Sequence, residues 1–471
     1  MAIIAAEGVT FEFSAPVVIV GAGACGLTAA LAAHDCGVET LVLERDETPR
    51  GSTSLSAGLI PAANTMFQRA KGIDDTPELF AADLAAKAKG QSDPAVVAAV
   101  AQASGPTIDW LSQTHAIELR LVEGFYYPGH SRLRMHGPAS QTGADLEQSL
   151  LATVARANID VLVGASVEDL FAHEDGRVAG VAFRRRDGRI ETVGCDALVL
   201  ACNGFGGDRE KVRRHIPEMA DAEYCGHPSN TGDAVDWGTA LGAATGDMAS
   251  YQGHGSVAHP HGLPLTWAVI TQGGFQVNRD GLRFANEMRG YSEHAEEVIR
   301  QPGGLAWDIY DARCEVPALG FHDYREIAKL GAVKRADTIE ELARVTDLPL
   351  ATLTRTFADV AACAAGERAD VFGRDFTTSP PLAPPYLACR VNGALFHTQG
   401  GLVIDTQARV LKPDGAPLPN LFAGGGAARG LSGPSSWGYM SGNGLLAATV
   451  LGRLAGLSAA RLAASITGAQ S

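Results

Sequence analysis

The stretch Val17–Gly26, VVIVGAGACG, followed by Leu41–Glu44, LVLE, decides how the rest of this chain is read. Val17 to Val20 is a short, unbroken apolar run, the pattern of a strand buried on both faces. Gly21, Gly23 and Gly26 then have the spacing of a tight turn, a close approach to a pyrophosphate and a close helix–strand contact. A helix beginning near Ala24 would aim free backbone N–H groups at phosphate oxygens. Glu44 ends the second strand, where a carboxylate can accept hydrogen bonds from a ribose diol. Strand, glycine spacing and terminal acid agree and predict a dinucleotide-binding βαβ unit. The competing reading is a coincidental turn in a chain with 55 glycines.

Composition narrows what surrounds this unit. The 471 residues are 46% hydrophobic, enough for two or three domains with large cores. There are 53 acids against 38 bases, a formal charge of −15, and no basic cluster of any size, Arg184–Arg186 meeting Asp187 at once. That argues against nucleic-acid binding. The apolar stretches are short and broken by glycine or charge, so no membrane span is expected. The N-terminal residues lack a basic start followed by a cleavage site and read as a cytoplasmic terminus. Eight cysteines without a C-x-x-C pair give no disulfide framework and no chain-borne cluster or zinc site.

Along the chain, helices are expected from Cys25 to Cys36, over 76–115 and over 145–158. Strands are expected at 160–163, 167–173, 177–185 and 197–202, with Asp175-Gly176 and Asp187-Gly188 as hairpin turns. Arg50–Ile60, RGSTSLSAGLI, suits a loop that folds over a phosphate and then a flat ring. The character changes over 248–385, first rich in glycine, histidine and aromatics, then helical and charged. This reads as a substrate-covering domain inserted between 1–247 and 386–471. A final helix opens near Ser441, and residues 457–471 read as a frayed tail. Two glycine-rich segments, 21–26 and 424–444, flank the insertion. The second suits a flavin ring, whose N1–C2=O edge needs positive potential when reduced. A helix N-terminus at Ser441–Asn443 would supply it.

The chain resembles the flavoprotein superfamily of soluble fumarate reductases, succinate dehydrogenase flavoprotein subunits and 3-ketosteroid dehydrogenases. The pieces that carry the likeness are VVIVGAGACG, LVLERD, GSTSLSAG, LACNGFGG, GGFQVNRDGLRFANE, HTQGGLVID, PNLFAGGGAARG and SGNGLLAATVLGRLAG. The resemblance implies an α/β fold: a Rossmann-like FAD-binding domain of the GR2 type with an inserted α+β substrate-capping domain. It implies FAD rather than FMN, held by Gly21, Gly23, Ala24, Gly26, Glu44, Arg45, Ser52, Thr53, Ser54, Gly58, Val167, Gly204, Gly425, Gly442, Asn443, Leu445 and Leu446. Residues 51–54 lack the histidine that some relatives join to the ring, so noncovalent FAD is expected. Gly426 stands where relatives often place a glutamate.

The resemblance also carries candidate catalytic residues. His254 matches a Gln-x-His segment, His397 the histidine of HTxGG, and Glu287 the glutamate after RFxNE that serves a proton relay between two arginines. The departures are as informative. Tyr291 and Tyr439 stand where the reductases have arginines, and Arg313 falls two residues early for their acid donor. A dicarboxylate needs cationic forks that these phenols do not provide. Trp437-Gly438-Tyr439 instead resembles the ketosteroid dehydrogenases, in which a phenol and a nearby backbone N–H hold a ketone oxygen. The Gly442–Asn443 backbone would be the second donor, and Tyr127 or Tyr291 the base that takes an α proton while hydride leaves the β carbon.

Glu123–His136, EGFYYPGHSRLRMH, reads as a loop at a substrate mouth. In it Arg132 or Arg134, with Arg289 elsewhere, could fix a carboxylate on a small alicyclic keto acid. The plainer reading is that these arginines meet neighbouring acids. His254, His259 and His261 have loop spacing, and no metal is expected. The leading expectation is an FAD-dependent desaturase of a cyclic ketone or keto acid. The alternative is an enoate or enone reductase. Oxygen, a quinone or a carrier protein would each suit as electron acceptor.

Overall fold

The computed structural model describes residues 2–123 and 126–470, so Gly124 and Phe125 of the aromatic loop lie outside the described residues. The chain forms two compact units: one holds the residues up to Ile216, Gly226–Tyr251 and His397 onward, the other Pro217–Cys225 and Gln252–Phe396.

A nine-stranded sheet carries the first unit. Strand Phe13–Val20 runs parallel to Thr40–Leu43 on one side and to Ile190–Leu200 on the other. The last of these also pairs in parallel with Pro417–Ala423. In register, Val20 lies opposite Leu43 and Leu200, and Leu200 opposite Ala423, so four parallel strands end together. Gly21, Glu44, Ala201 and Gly424 therefore open side by side at the carboxyl edge, where ligands bind in such sheets. Hairpin turns with positive φ at Gly176 and Gly188 link the antiparallel strands that widen the sheet.

The sheet is buried on both faces. Val18 and Val20 pack with Leu41, Leu43, Leu198 and Leu200. Val17 and Ile19 pack with Leu27, Leu31, Ala197 and Val199 under helix Ala24–Asp35. The expected frayed tail is instead the helix Gly452–Gln470, continuous with Asn443–Leu446 through a π-helical turn at Ala447–Leu451. Its small residues explain why. A Cβ on Gly452 would lie 2.4 Å from Cys25 O and one on Gly456 2.1 Å from Ala29 O, so the two helices touch backbone to backbone. Residues Asn443–Ile466 are long and apolar enough to cross a membrane, yet 61% of their most apolar window is buried inside the protein, as befits a core helix. The expected single helical region 76–115 is two helices, Pro77–Lys87 and Pro94–Gln113, each opened by a side-chain cap and a proline.

The second unit is built on a seven-stranded sheet whose centre is the long strand Tyr386–Thr398. That strand pairs with Leu305–Asp311 and Val333–Ala336, so the chain leaves this unit only after Phe396, later than the composition change at 385. Glu223 and Tyr224 pair with the same strand, which brings the short segment 217–225 into the unit.

Candidate active site

Around the carboxyl edge of the first sheet the backbone is shaped for close approach. Gly21 has φ +106°, and a Cβ on Gly26 would stand 1.8 Å from Gly21 O, so the first loop closes only with glycine at both places. Glu44 is held at the strand end by Ala22 N–H at 2.8 Å and Asp46 N–H at 2.9 Å. Ala24 N–H donates to Thr53 Oγ1 at 2.9 Å, bringing loop 51–58 to the helix start. Ser52 Oγ accepts from Asn203 at 2.7 Å and Asn230 at 3.0 Å. Gly58 closes on Thr142 O, and Gly204 on Thr398 Oγ1. Arg45 reaches Ser229 O at 2.5 Å, Val167 is buried within its strand, and Ser54 donates to Gly51 O. At the second glycine segment Gly425 and Gly442 have positive φ, and Leu446 N–H closes on Gly442 O at 2.9 Å, one residue beyond Leu445.

These features fit a dinucleotide. Among the described residues the Arg45 Nε and Asn443 Oδ1 atoms are buried without a hydrogen-bond partner, which suits polar groups supplied from outside the chain. The departure at Gly426 also has a cause. A Cβ there would lie 2.3 Å from Asn203 Oδ1, which already accepts Gly204 N–H at 2.8 Å, so no longer side chain fits.

Two groups of candidate catalytic side chains form, one in each unit. In the first, buried Tyr439 meets His397 edge-on, ring centroids 5.6 Å apart. The turn Ser436–Gly438 delivers the tyrosine, and Gly438 is required there because a Cβ would lie 1.8 Å from Ser432 O. The His397 imidazole sits against the first turn of the last helix, its Nε2 2.8 Å from where a Cβ of Gly444 would be. Burial pulls its pKa down to about 4, so the ring is neutral. Tyr127 is half-buried against Leu59, Val122 and Met135. Nearby, His130 Nε2 donates to Ser441 O at 2.9 Å, tying the aromatic loop to the segment that carries Tyr439.

Of the two readings open for the arginines of that loop, Arg134 fits the plainer one, pairing with neighbouring acids. Arg134 is fully buried, its Nε and Nη2 each 2.8 Å from Asp75, and Nη1 bonds Asp83. Its donors are spent within the fold, so it is no substrate clamp. Arg132 is engaged by Asp74 O at 2.8 Å on the surface, and Arg289 is exposed.

In the second unit His254 is stacked between Tyr291, at 4.9 Å, and Phe396, at 5.3 Å, with Trp267 edge-on. Its Nδ1 accepts Ser256 N–H at 3.1 Å, leaving the proton on Nε2. Burial pulls its pKa down to about 3. Glu287 is buried and takes hydrogen bonds from Arg283 at 2.8 Å, Arg374 at 3.1 Å and Gln276 N at 3.1 Å. Burial alone would raise its pKa, but Arg374 and Arg283 outweigh it and hold the carboxyl at about 2.

The second arginine on Glu287 is thus Arg374, which the sequence reading missed. Arg313, which falls two residues early for the reductases' acid donor, turns to Gln272 O at 2.5 Å. No local motif marks Arg374. Also missed was Asp308, fully buried against Ser256 and Gln276, its carboxyl pushed up by burial to about 7. Among the described residues no three His, Cys, Asp or Glu side chains group as metal ligands.

Residues 16–445 match the FAD binding domain family, and the chain belongs to it. It is 29% identical over 448 residues to a probable fumarate reductase Ifc3 of Shewanella frigidimarina, covering 94% of this chain and 74% of that protein. The open conformation of a flavocytochrome c3 fumarate reductase superposes with a TM-score of 0.81 at 28% identity, covering 97% of this chain and 80% of that one. A 3-ketosteroid-Δ4-(5α)-dehydrogenase from Rhodococcus jostii RHA1, in complex with 4-androstene-3,17-dione, shares the fold. Its TM-score is 0.78 at 23% identity, with 98% of this chain and 100% of that one covered. The protein is an FAD-dependent oxidoreductase.

Proposed function

We propose that the protein desaturates a cyclic ketone, removing an α proton and a β hydride to give the α,β-unsaturated ketone. FAD, when bound, supplies the hydride acceptor. The observation that carries the reading is the pairing of Tyr439 with a neutral His397, where a dicarboxylate clamp would need an arginine. Two uncharged donors suit a ketone oxygen, and holding that oxygen stabilises the enolate that forms as the proton leaves. Asn443 N–H is taken by Met440 O at 3.0 Å, so the backbone amide assigned to the same oxygen is that of Gly442. Tyr127, in the same unit, takes the α proton. Because Arg134 is spent on Asp75 and Asp83, a carboxylate on the substrate would rely on Arg132.

A second reading, reduction of an enoate or enone, rests on Glu287 lying between Arg283 and Arg374. Such a line of exchangeable protons suits delivery to a carbon, and the fumarate reductase relatives are reductases by name. Anaerobic mixing separates the two. Rapid bleaching of the oxidised flavin by a cyclic ketone, such as a 4-oxocyclohexanecarboxylate or a 3-ketosteroid, supports desaturation. Reoxidation of the prereduced enzyme by enones or enoates alone overturns it. Steady-state assays with oxygen, a soluble quinone and a one-electron carrier then identify the acceptor.

A further inference from the structure

Behind His397 runs a line of hydrogen bonds that no reading so far has used. Asn443 Nδ2 lies 3.2 Å from Ser432 Oγ, and Ser432 Oγ lies 2.9 Å from Gln399 Oε1. Gln399 Nε2 lies 3.1 Å from His397 Nδ1. All three supporting side chains are buried: Gln399 is 4% exposed, Ser432 1% and Asn443 0%. The Gln399 backbone is pinned as well, its N–H on Ser250 O and its C=O under Gly430 N–H, both at 2.8 Å. The side chain therefore has one place to go, and Gly430 leaves room for it, since a Cβ there would stand 2.8 Å from Gln399 Oε1.

From this chain we infer that Gln399 is a positioning residue that fixes His397 as the Nε2–H tautomer. The line has a direction. Asn443 donates to Ser432, whose single hydroxyl proton goes to Gln399 Oε1, and the Gln399 amide N–H then meets a ring nitrogen that must accept. Reversing every link is the alternative, with Nδ1–H donating to Gln399 and to Thr398 O at 3.3 Å. Then either Ser432 donates to a turned Asn443 amide, whose N–H groups fall in a buried place where now its carbonyl oxygen lacks a partner, or Ser432 accepts from both amides and its own proton loses its acceptor. A buried N–H without an acceptor is the rarer and costlier defect. Burial keeps the ring uncharged in either case.

The consequence concerns the reaction, and it rests on the ketone reading above. With Nδ1 occupied by Gln399, His397 offers a hydrogen bond from Nε2 and holds no lone pair for a proton. It binds an oxygen. It is not the base, nor the relay through which a tyrosine base discharges.

The test uses FAD-loaded enzyme labelled with ¹⁵N-histidine, the His397 resonances being identified by their loss in His397→Asn. The inference expects Nδ1 to resonate as unprotonated and Nε2 as protonated. It expects Gln399→Glu, whose carboxylate can only accept, to move the proton to Nδ1. Because a buried glutamate can unfold a protein, Gln399→Met is the second variant: it lacks the donor and should give an exchange-averaged pair of signals. With either variant kcat/KM for the ketone should fall roughly 100-fold, the scale of one lost oxygen donor, while visible flavin absorbance per protein is retained. A protonated Nδ1 in the wild type overturns the inference whatever the kinetics. Unprotonated Nδ1 that is unmoved in both variants removes Gln399 from the role. The expected tautomer shift without a kinetic loss supports the positioning of His397 and overturns the ketone reading alone.

Discussion

The phenol ring of Tyr439 and the imidazole of His397 meet edge-on, with centroids 5.6 Å apart and planes at 72°. Burial keeps the His397 ring uncharged, and the turn Ser436–Gly438 sets the phenol beside it. Tyr439→Phe keeps the ring and removes only the O–H. FAD should stay bound, and hydride transfer should slow by roughly 10²–10⁴-fold, the range for a lost oxyanion donor or acid–base partner. Anaerobic stopped-flow bleaching of the flavin measures it. A wild-type rate would take Tyr439 out of the chemistry.

Glu287 is the charge that keeps two buried arginines together, since Arg283 also has Asp370 but Arg374 has only Glu287 among the ion pairs of the described residues. Glu287→Gln leaves Arg374 as a buried cation without its carboxylate, and breaking such a pair costs about 3–5 kcal/mol. The pH dependence has a definite sign. A carboxyl held at about 2 when folded and 4.5 when unfolded contributes stability above pH 4.5 that is lost as pH falls toward 2. Urea unfolding should show a lower midpoint for the variant at pH 7 and convergence with wild type in acid. Equal midpoints at neutral pH would mean that the cluster adds nothing.

What could be read from sequence and what could not follows the range of the interactions. The loop at Gly21 was legible because a strand, three glycines and Glu44 lie within one βαβ unit and their spacing is itself the structural requirement. Tyr439 stood out because it replaces an arginine inside a recognisable segment. Arg374 was invisible: it reaches Glu287 across 87 residues, in a stretch without a motif. Residues 457–470 read as a tail because they are small and look featureless; the contact that holds this helix lies just before them, where Gly452 and Gly456 let its backbone pack on Cys25 and Ala29. Gln399 carried no signal at all. Its meaning depends on Ser432 and Asn443, which only folding brings alongside.

Arg134 illustrates the opposite risk, a conspicuous residue with an inward purpose. With Asp75 and Asp83 both on its guanidinium and its side chain fully covered, it holds the aromatic loop down. Arg134→Met would strand two carboxylates and should destabilise the protein by about 3–5 kcal/mol. Preference between a neutral cyclic ketone and the matching keto acid should be unchanged in the surviving enzyme. A selective rise in KM for the keto acid alone would return Arg134 to the substrate.

Glu147 offers a pH test of the cofactor cradle. It is 3% exposed on helix Gly143–Arg156, and its Oε1 has no hydrogen-bond partner among the described residues. Burial pushes its carboxyl up to about 8, against a hydrogen bond with Ser54 and with help from the charge of Glu44. With its carboxyl at about 8, Glu147 is largely neutral at pH 7. A carboxyl with a raised folded pKa adds stability that is complete below the unfolded value of 4.5 and disappears as pH rises through 8. Glu147→Gln is neutral throughout and keeps the shape. Between pH 5 and 9 the urea midpoint of the FAD-loaded wild type should fall more steeply than that of the variant. The flavin released at pH 9 should likewise be greater for wild type. Parallel curves would show that Glu147 ionises as freely in the fold as outside it.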